Sequence, residues 1–228
     1  LIALMATILG SGGWTVGEGG MLACFALTLP WLSIGFWNAL IGFAIYRFAR
    51  DPAAFVTPQI ALAGPDDPVT YRSAIAMTVR NEDPAYAIAR LRTVQEDLDA
   101  AGLGERFDLH VLSDTDRDDI ARQEDAAISA WRRAIGDPDG DARRVHYRRR
   151  TSNEGFKAGN VWEFVTRCGE RYDLFLPFDA DSLMSAAAIA RMVRVMQANP
   201  RIGILQGLVV GMPSKSFFSR AFQFGMRH

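Results

Sequence analysis

Charge is absent from one long stretch of this 228-residue chain, cysteine is scarce throughout it, and neither sign of charge prevails. With 25 basic and 26 acidic residues the net charge is −1, so the balance gives no case for a nucleic-acid partner. The two cysteines, Cys24 and Cys168, lie far apart and form no metal-ligand spacing. Cys24 falls in an apolar run and Cys168 on an expected helix, so both read as structural thiols. The first charged residue is Glu18 and the next is Arg47. The uncharged run between them is the dominant feature of the first quarter of the chain.

About 20 apolar residues suffice to cross a bilayer as a helix, so this run is long enough even when tilted. Pro30 inside it is a kink that membrane helices tolerate. Tyr46 and Arg47 fit an interface, and Arg47 with Arg50 places that end in the cytoplasm. The expected layout is a membrane region over residues 1–48, comprising a truncated helix 1–9, a loop 10–20 and a spanning helix 21–46. A linker over 49–70 follows, and then the front part of a soluble domain over 71–228. A buried core helix is the alternative for the apolar run. A cleaved signal peptide fits poorly, for the start carries no basic residue. The glycines of 10–20 are not a phosphate-binding loop, because no strand precedes them and no P-loop lysine follows. The chain opens on Leu1 inside an apolar run and closes on Arg227-His228, so it reads as a fragment of a longer protein.

Arg50 to Thr70 holds Pro52, Pro58, Pro65 and Pro68 with little periodicity, as a linker does. Beyond it strands alternate with helices. Strands are expected at 73–79, 107–112, 145–148, 174–178 and 202–206, and helices at 84–101, 116–135, 158–168 and 186–198. That alternation predicts an α/β fold with a mostly parallel sheet and helices on both faces. Ligands bind such sheets at the carboxyl ends of their strands.

Polar residues collect at those ends. The first strand leads into Arg80-Asn81-Glu82-Asp83, the second into Ser113-Asp114, and the 174–178 strand into Asp179-Ala180-Asp181. Two carboxylates one residue apart on a strand rim can share a hard cation, such as Mg²⁺ or Mn²⁺. A cation there neutralises the charge that develops on a departing diphosphate. Helix capping accounts for one of the two aspartates more readily than for both. Lys157, just ahead of an expected helix, is placed for a diphosphate or for solvent. The run Arg148-Arg149-Arg150 reads as solvated or acceptor-facing, since three adjacent residues of a strand cannot all point one way.

Four motifs in one order, Asn81-Glu82, VLSD ending at Asp114, FKAGN with Lys157, and FDADS with Asp179 and Asp181, resemble the family 2 glycosyltransferases of GT-A fold. They cover about residues 72–207. VLSD, YRRR, DADSLM and MQANPRIGILQ are most similar to the branch that makes osmoregulated periplasmic glucans; cellulose and hyaluronan synthases match these details less well. The resemblance implies a membrane-bound, inverting, multi-pass enzyme of the bacterial inner membrane with its catalytic domain in the cytoplasm. It implies UDP-glucose as donor, a β-glucan acceptor, and Mg²⁺ or Mn²⁺. By position, Asn81, Glu82 and Asp114 contact the nucleotide, Lys157 the diphosphate, Asp179 the ribose and metal, and Asp181 the metal. The catalytic base and the acceptor-holding Gln/Arg-Trp motif are expected downstream of His228. Two rivals remain: a phosphatase of the haloacid-dehalogenase type, which also places an aspartate pair after an apolar strand, and a subunit that binds a nucleotide sugar without turning it over.

Overall fold

The computed structural model describes residues 1–137, 144–207, 209 and 211–227. They divide into two compact units, one of residues 1–58 with those after 207, and one of residues 59–207.

In the first unit a short helix α1 (Ile2–Leu9) and a 3₁₀ turn (Gly10–Gly12) precede α2 (Val16–Phe48). Helix α2 begins earlier than its glycines led us to expect, and a capping box explains why. Glu18 N donates to Thr15 Oγ1 (3.3 Å) while Thr15 N donates to Glu18 Oε2 (2.6 Å), satisfying two orphan donors and drawing residues 16–20 into the helix. Among the described residues α2 is the one helix long and apolar enough to cross a membrane. Its 33 residues rise about 50 Å, more than the hydrocarbon core requires. None of them is buried, and Leu27, Trp31, Phe36 and Phe43 are exposed. A core helix of a soluble protein would hide such side chains, whereas a lipid-facing helix would not. Helix α3 (Pro52–Val56) follows, and a helix at Phe217–Arg227 completes the unit.

The second unit is built from β1 (Ser73–Val79), α4 (Pro84–Ala100), β2 (Phe107–Ser113), α5 (Asp118–Ala134), β3 (Val145–Arg149), α6 (Phe156–Cys168), β4 (Leu174–Asp179) and α7 (Ala186–Ala198). The strands form one parallel sheet in the order β3-β2-β1-β4. Strands β1 and β2 are the central pair and are buried on both faces, as strands covered by crossover helices must be. Ile75, Met77, Leu109 and Val111 turn to one side and pack with Leu91, Val94, Leu98, Ile128, Trp131 and Ile189 of α4, α5 and α7. Ala74, Ala76 and Leu112 turn to the other, against Phe164 of α6. Period-two alternation within each strand thus assigns alternate residues to opposite helix layers. The expected α/β architecture, with helices on both faces, is the one observed.

Two expectations change. Residues 202–206 form no strand, and Ile204 is 89% exposed. Apolar composition alone does not make a strand; a neighbouring row of backbone groups must pair with it, and no described strand lies beside this segment. The later part of the 49–70 linker is also bound to the fold. Gln197 of α7 accepts from Thr70 N (2.9 Å) and Tyr71 N (3.1 Å), and Arg191 donates to Ile60 O (3.0 Å).

Under α6, His110 is 4% exposed, stacks on His146 at 4.3 Å and hydrogen-bonds through Nε2 with Tyr172 Oη at 2.9 Å. Burial, followed by His146, Arg171 and Arg148, lowers its pKa to about 3. The unfolded chain takes up this proton near pH 6.5 and the folded chain only near 3, so stability falls as pH drops through that window. The slope is about 1.4 kcal/mol per pH unit. Chemical denaturation at pH 7.5 and pH 4.5 should therefore show the advantage of wild type over His110→Gln narrowing by about 2.7 kcal/mol at the lower pH.

Candidate functional site

Parallel pairing brings the carboxyl ends of all four strands to one rim. Val79 pairs with Ser113, Ser113 with Arg149, and Thr78 with Asp179, so Arg80, Asp114, Arg150 and Asp179 emerge at nearly one level. Asp114 N donates to Val79 O (2.9 Å) and Arg150 N to Ser113 O (3.0 Å), continuing the ladder one residue past the strands. A cavity of about 590 Å³ opens there. Glu82, Asp114, Lys157, Asp179 and Asp181 line it, with Arg80, Asn153 and Phe156.

Asp114 is 7% exposed and is gripped by a two-pronged ion pair, Arg150 Nε to Oδ1 at 2.6 Å and Nη2 to Oδ2 at 2.8 Å. The carboxylate in turn holds the Arg150 guanidinium above its ordinary range. Arg150 also donates to Glu154 O (3.1 Å) and Phe156 O (3.0 Å), so the loop entering α6 is tied to the tip of β2. A fixed planar fork is the geometry for this task, and a lysine could not reproduce it. The arginine run is therefore not a solvated stripe. Arg148 and Arg150 turn towards α6, where Arg148 donates to Asn160 O (3.0 Å). Arg149 turns the other way, to Thr115 O (2.8 Å) and Asp118 (3.0 Å).

Asn153 escaped the sequence reading, and so did Glu124. With both ends of its amide satisfied, Asn153 donates to Asp114 Oδ2 (3.1 Å) and accepts from Arg80 Nη1 (2.8 Å). Glu124 of α5, 2% exposed, accepts from Ser113 Oγ (2.7 Å), Thr115 Oγ1 (2.5 Å) and Tyr147 Oη (2.8 Å). It anchors the backbone on either side of Asp114. A glutamate at a core-facing position of an amphipathic helix was the available signal.

Asn81 does not line the cavity. It sits in the left-handed region (φ 58°), donates from Nδ2 to Asp116 Oδ1 (2.7 Å) and accepts from Arg117 N (3.3 Å). Asparagine tolerates that conformation, and here it turns the chain from β1 towards α4. Glu82 lines the cavity while its carboxylate accepts from the Arg80 backbone N–H.

The start of α6 explains the FKAGN pattern. Gly155 is left-handed (φ 67°), and the loop folds so closely over α6 that a Cβ on Gly159 would collide with the Glu154 carbonyl oxygen. Asn160 is fully buried and donates to Leu112 O (3.2 Å), pinning α6 to β2. Lys157 lies between these anchors and pairs with Asp179 across the cavity mouth. Gly159→Ala should destabilise the 59–207 unit by about 1–3 kcal/mol, because the clash is with backbone. Thermal denaturation measures the loss, and the substitution should also displace Lys157.

Asp179 ends β4, Ser182 N donates to Asp179 O (3.0 Å) in the turn that follows, and Asp181 lies within that turn. Neither aspartate caps α7, for that role belongs to Ser185. Both carboxylates are exposed at or beside the cavity. Among the described residues no group of three or more His, Cys, Asp or Glu is arranged to hold a metal by itself. Two carboxylates one residue apart offer hard oxygen donors of the kind a Mg²⁺-like ion takes.

No protein-family model matches the chain. Among curated proteins it is 39% identical over 216 residues to glucans biosynthesis glucosyltransferase H of Bradyrhizobium diazoefficiens, covering 95% of this chain and 28% of that protein. It is 35% identical over 222 residues to the protein of the same name from Xylella fastidiosa, covering 97% and 34%. The counterpart in Pectobacterium carotovorum is 34% identical over 212 residues, covering 92% and 24%. The chain thus spans about a quarter to a third of the length of these relatives. The resemblance carried by four motifs extends over nearly all of its residues, and these proteins are its homologues.

Proposed function

We propose that this chain is the donor-binding part of a membrane-attached glucosyltransferase that transfers glucose from UDP-glucose to a growing β-glucan. The observation that carries the proposal is the convergence of Glu82, Asp114, Lys157, Asp179 and Asp181 on one cavity at the carboxyl rim of a parallel sheet. Similarity to proteins named glucans biosynthesis glucosyltransferase H supports the donor sugar and the product class.

In this reading Asp114, fixed by Arg150, receives the nucleoside, and Glu82 lies alongside it. Lys157 leaves Asp179 to meet the diphosphate, and Asp179 and Asp181 are the residues that would hold Mg²⁺ or Mn²⁺. When bound, the cation supplies positive charge to the departing diphosphate. The work of the rim is to bind and orient the donor, and no residue of it is assigned as the base that deprotonates the acceptor. Helix α2 anchors the chain in a bacterial inner membrane, and Arg47 and Arg50 keep the 59–207 unit on the cytoplasmic side.

Calorimetric titration of the detergent-solubilised chain with UDP and UDP-glucose, with and without Mn²⁺, tests this directly. Binding that strengthens with Mn²⁺ is expected. A folded chain that binds neither ligand under any condition would overturn the proposal.

A further inference from the structure

A second cavity, of about 220 Å³, lies away from the donor rim, between β2, β3 and the far end of α6. Its charged lining is entirely basic: Arg148 from β3, Arg167 from α6 and Arg171 from the turn that follows. The His110 and His146 rings form one wall and Phe164 closes the base. One carboxylate, Glu163, stands beside these arginines, 3.3 Å from Arg148 and 3.2 Å from Arg167, and its Oε2 also lies 3.9 Å from Arg150. Arg171 instead lies over the Tyr172 ring at 5.6 Å. Glu163 is thus shared by two of the three lining arginines, Arg148 and Arg167.

Arg148 shows the imbalance most clearly. Its Nη atoms are engaged by Asn160 and Glu163, but its Nε is buried with no protein acceptor among the described residues. A buried guanidinium N–H without an acceptor is costly, and an oxyanion such as phosphate would satisfy it with a charge-assisted hydrogen bond. The volume suits a phosphate group with a small ester substituent and is too small for a nucleotide. We propose that this cavity is an anion site taking inorganic phosphate or a small phosphomonoester, separate from the nucleotide rim. Arg148 also holds Asn160, three residues after Lys157, so an occupant here touches the helix that carries the lysine of the donor site.

The test is calorimetric titration of the detergent-solubilised 228-residue chain with inorganic phosphate and, separately, with methyl phosphate. Wild type is compared with Arg167→Ala/Arg171→Ala and with Lys157→Ala. Circular dichroism confirms that each variant is folded, and side-chain NMR of His110 and His146 serves as a local reporter. At least tenfold weaker binding in the double variant is expected, with wild-type affinity in Lys157→Ala and both ring signals shifting on titration. Binding of inorganic phosphate alone would restrict the site to the free ion, and binding of both would extend it to monoesters. Phosphate binding that is lost in Lys157→Ala yet kept in the double variant, or ring signals that do not move, would overturn the inference. These outcomes are independent of UDP-glucose binding, so failure here leaves the donor-site reading standing.

Discussion

Replacing Arg150 with methionine is expected to cost the 59–207 unit about 3–5 kcal/mol of stability, a third or more of what a domain of this size commonly has. The side chains of Arg150 and Asp114 are only 7% and 5% exposed, so removing the arginine leaves a nearly buried carboxylate without its counter-charge. The substitution also releases the carbonyls of Glu154 and Phe156, through which Arg150 holds the entry to α6. The loss should therefore exceed that of a simple surface pair, which is worth about 0–1 kcal/mol. Arg150→Lys should recover part of the charge but not the fork. Adding Asp114→Leu to Arg150→Met should restore much of the stability, because an apolar pair carries no desolvation penalty. Urea denaturation followed by circular dichroism measures all three variants. A single Arg150→Met substitution costing under about 1 kcal/mol would show that the pair is solvated in solution. The double variant, even where stable, should lose nucleotide binding, which separates the structural role of the pair from its use.

The second large effect belongs to the aspartates at the carboxyl end of β4 and in the turn after it. Asp181→Ala is expected to weaken UDP binding in the presence of Mn²⁺ roughly a hundredfold, or about 2.7 kcal/mol, and to abolish the difference between titrations with and without metal. Asp179→Ala should do the same and also free Lys157, its ion-pair partner. Metal-free UDP binding should accordingly strengthen slightly in Asp179→Ala but not in Asp181→Ala. That contrast distinguishes a carboxylate that only holds the cation from one that also restrains the lysine. Both side chains are exposed and neither caps α7, so thermal stability should change little. Metal dependence that survives in both variants would remove the cation from this rim.

Much of the second unit was legible because short-range chemistry governs it. Strand β1 and helix α7 run between the residues that pattern alone predicts, and the other helices and strands differ by no more than about two residues at either end. Apolar runs of fixed period have few other ways to be buried, and Asp83-Pro84 and Ser185 mark helix starts in the sequence. Asp179 and Asp181 could be found for the same reason, since a charged pair directly after an apolar strand is readily placed on a rim.

What the chain did not disclose depends on distance in sequence. Arg150 meets Asp114 across 36 positions, and Glu124 serves Ser113 and Thr115 from another helix. Neither pairing leaves a periodic trace, because it exists only once β3 and α5 pack against β2. Asn81 belongs to a recognisable motif, yet the left-handed turn after β1 directs its side chain to Asp116 and away from the cavity. Residues 202–206 have the composition of a strand but no described partner, and pairing is not a local property. Sequence by itself determined which segments are helix and strand and which carboxylates reach the rim, because burial and backbone propensity act over a few residues. Tertiary structure alone decided which charges neutralise one another and which remain free to meet a ligand, because that balance is struck between groups the chain keeps far apart.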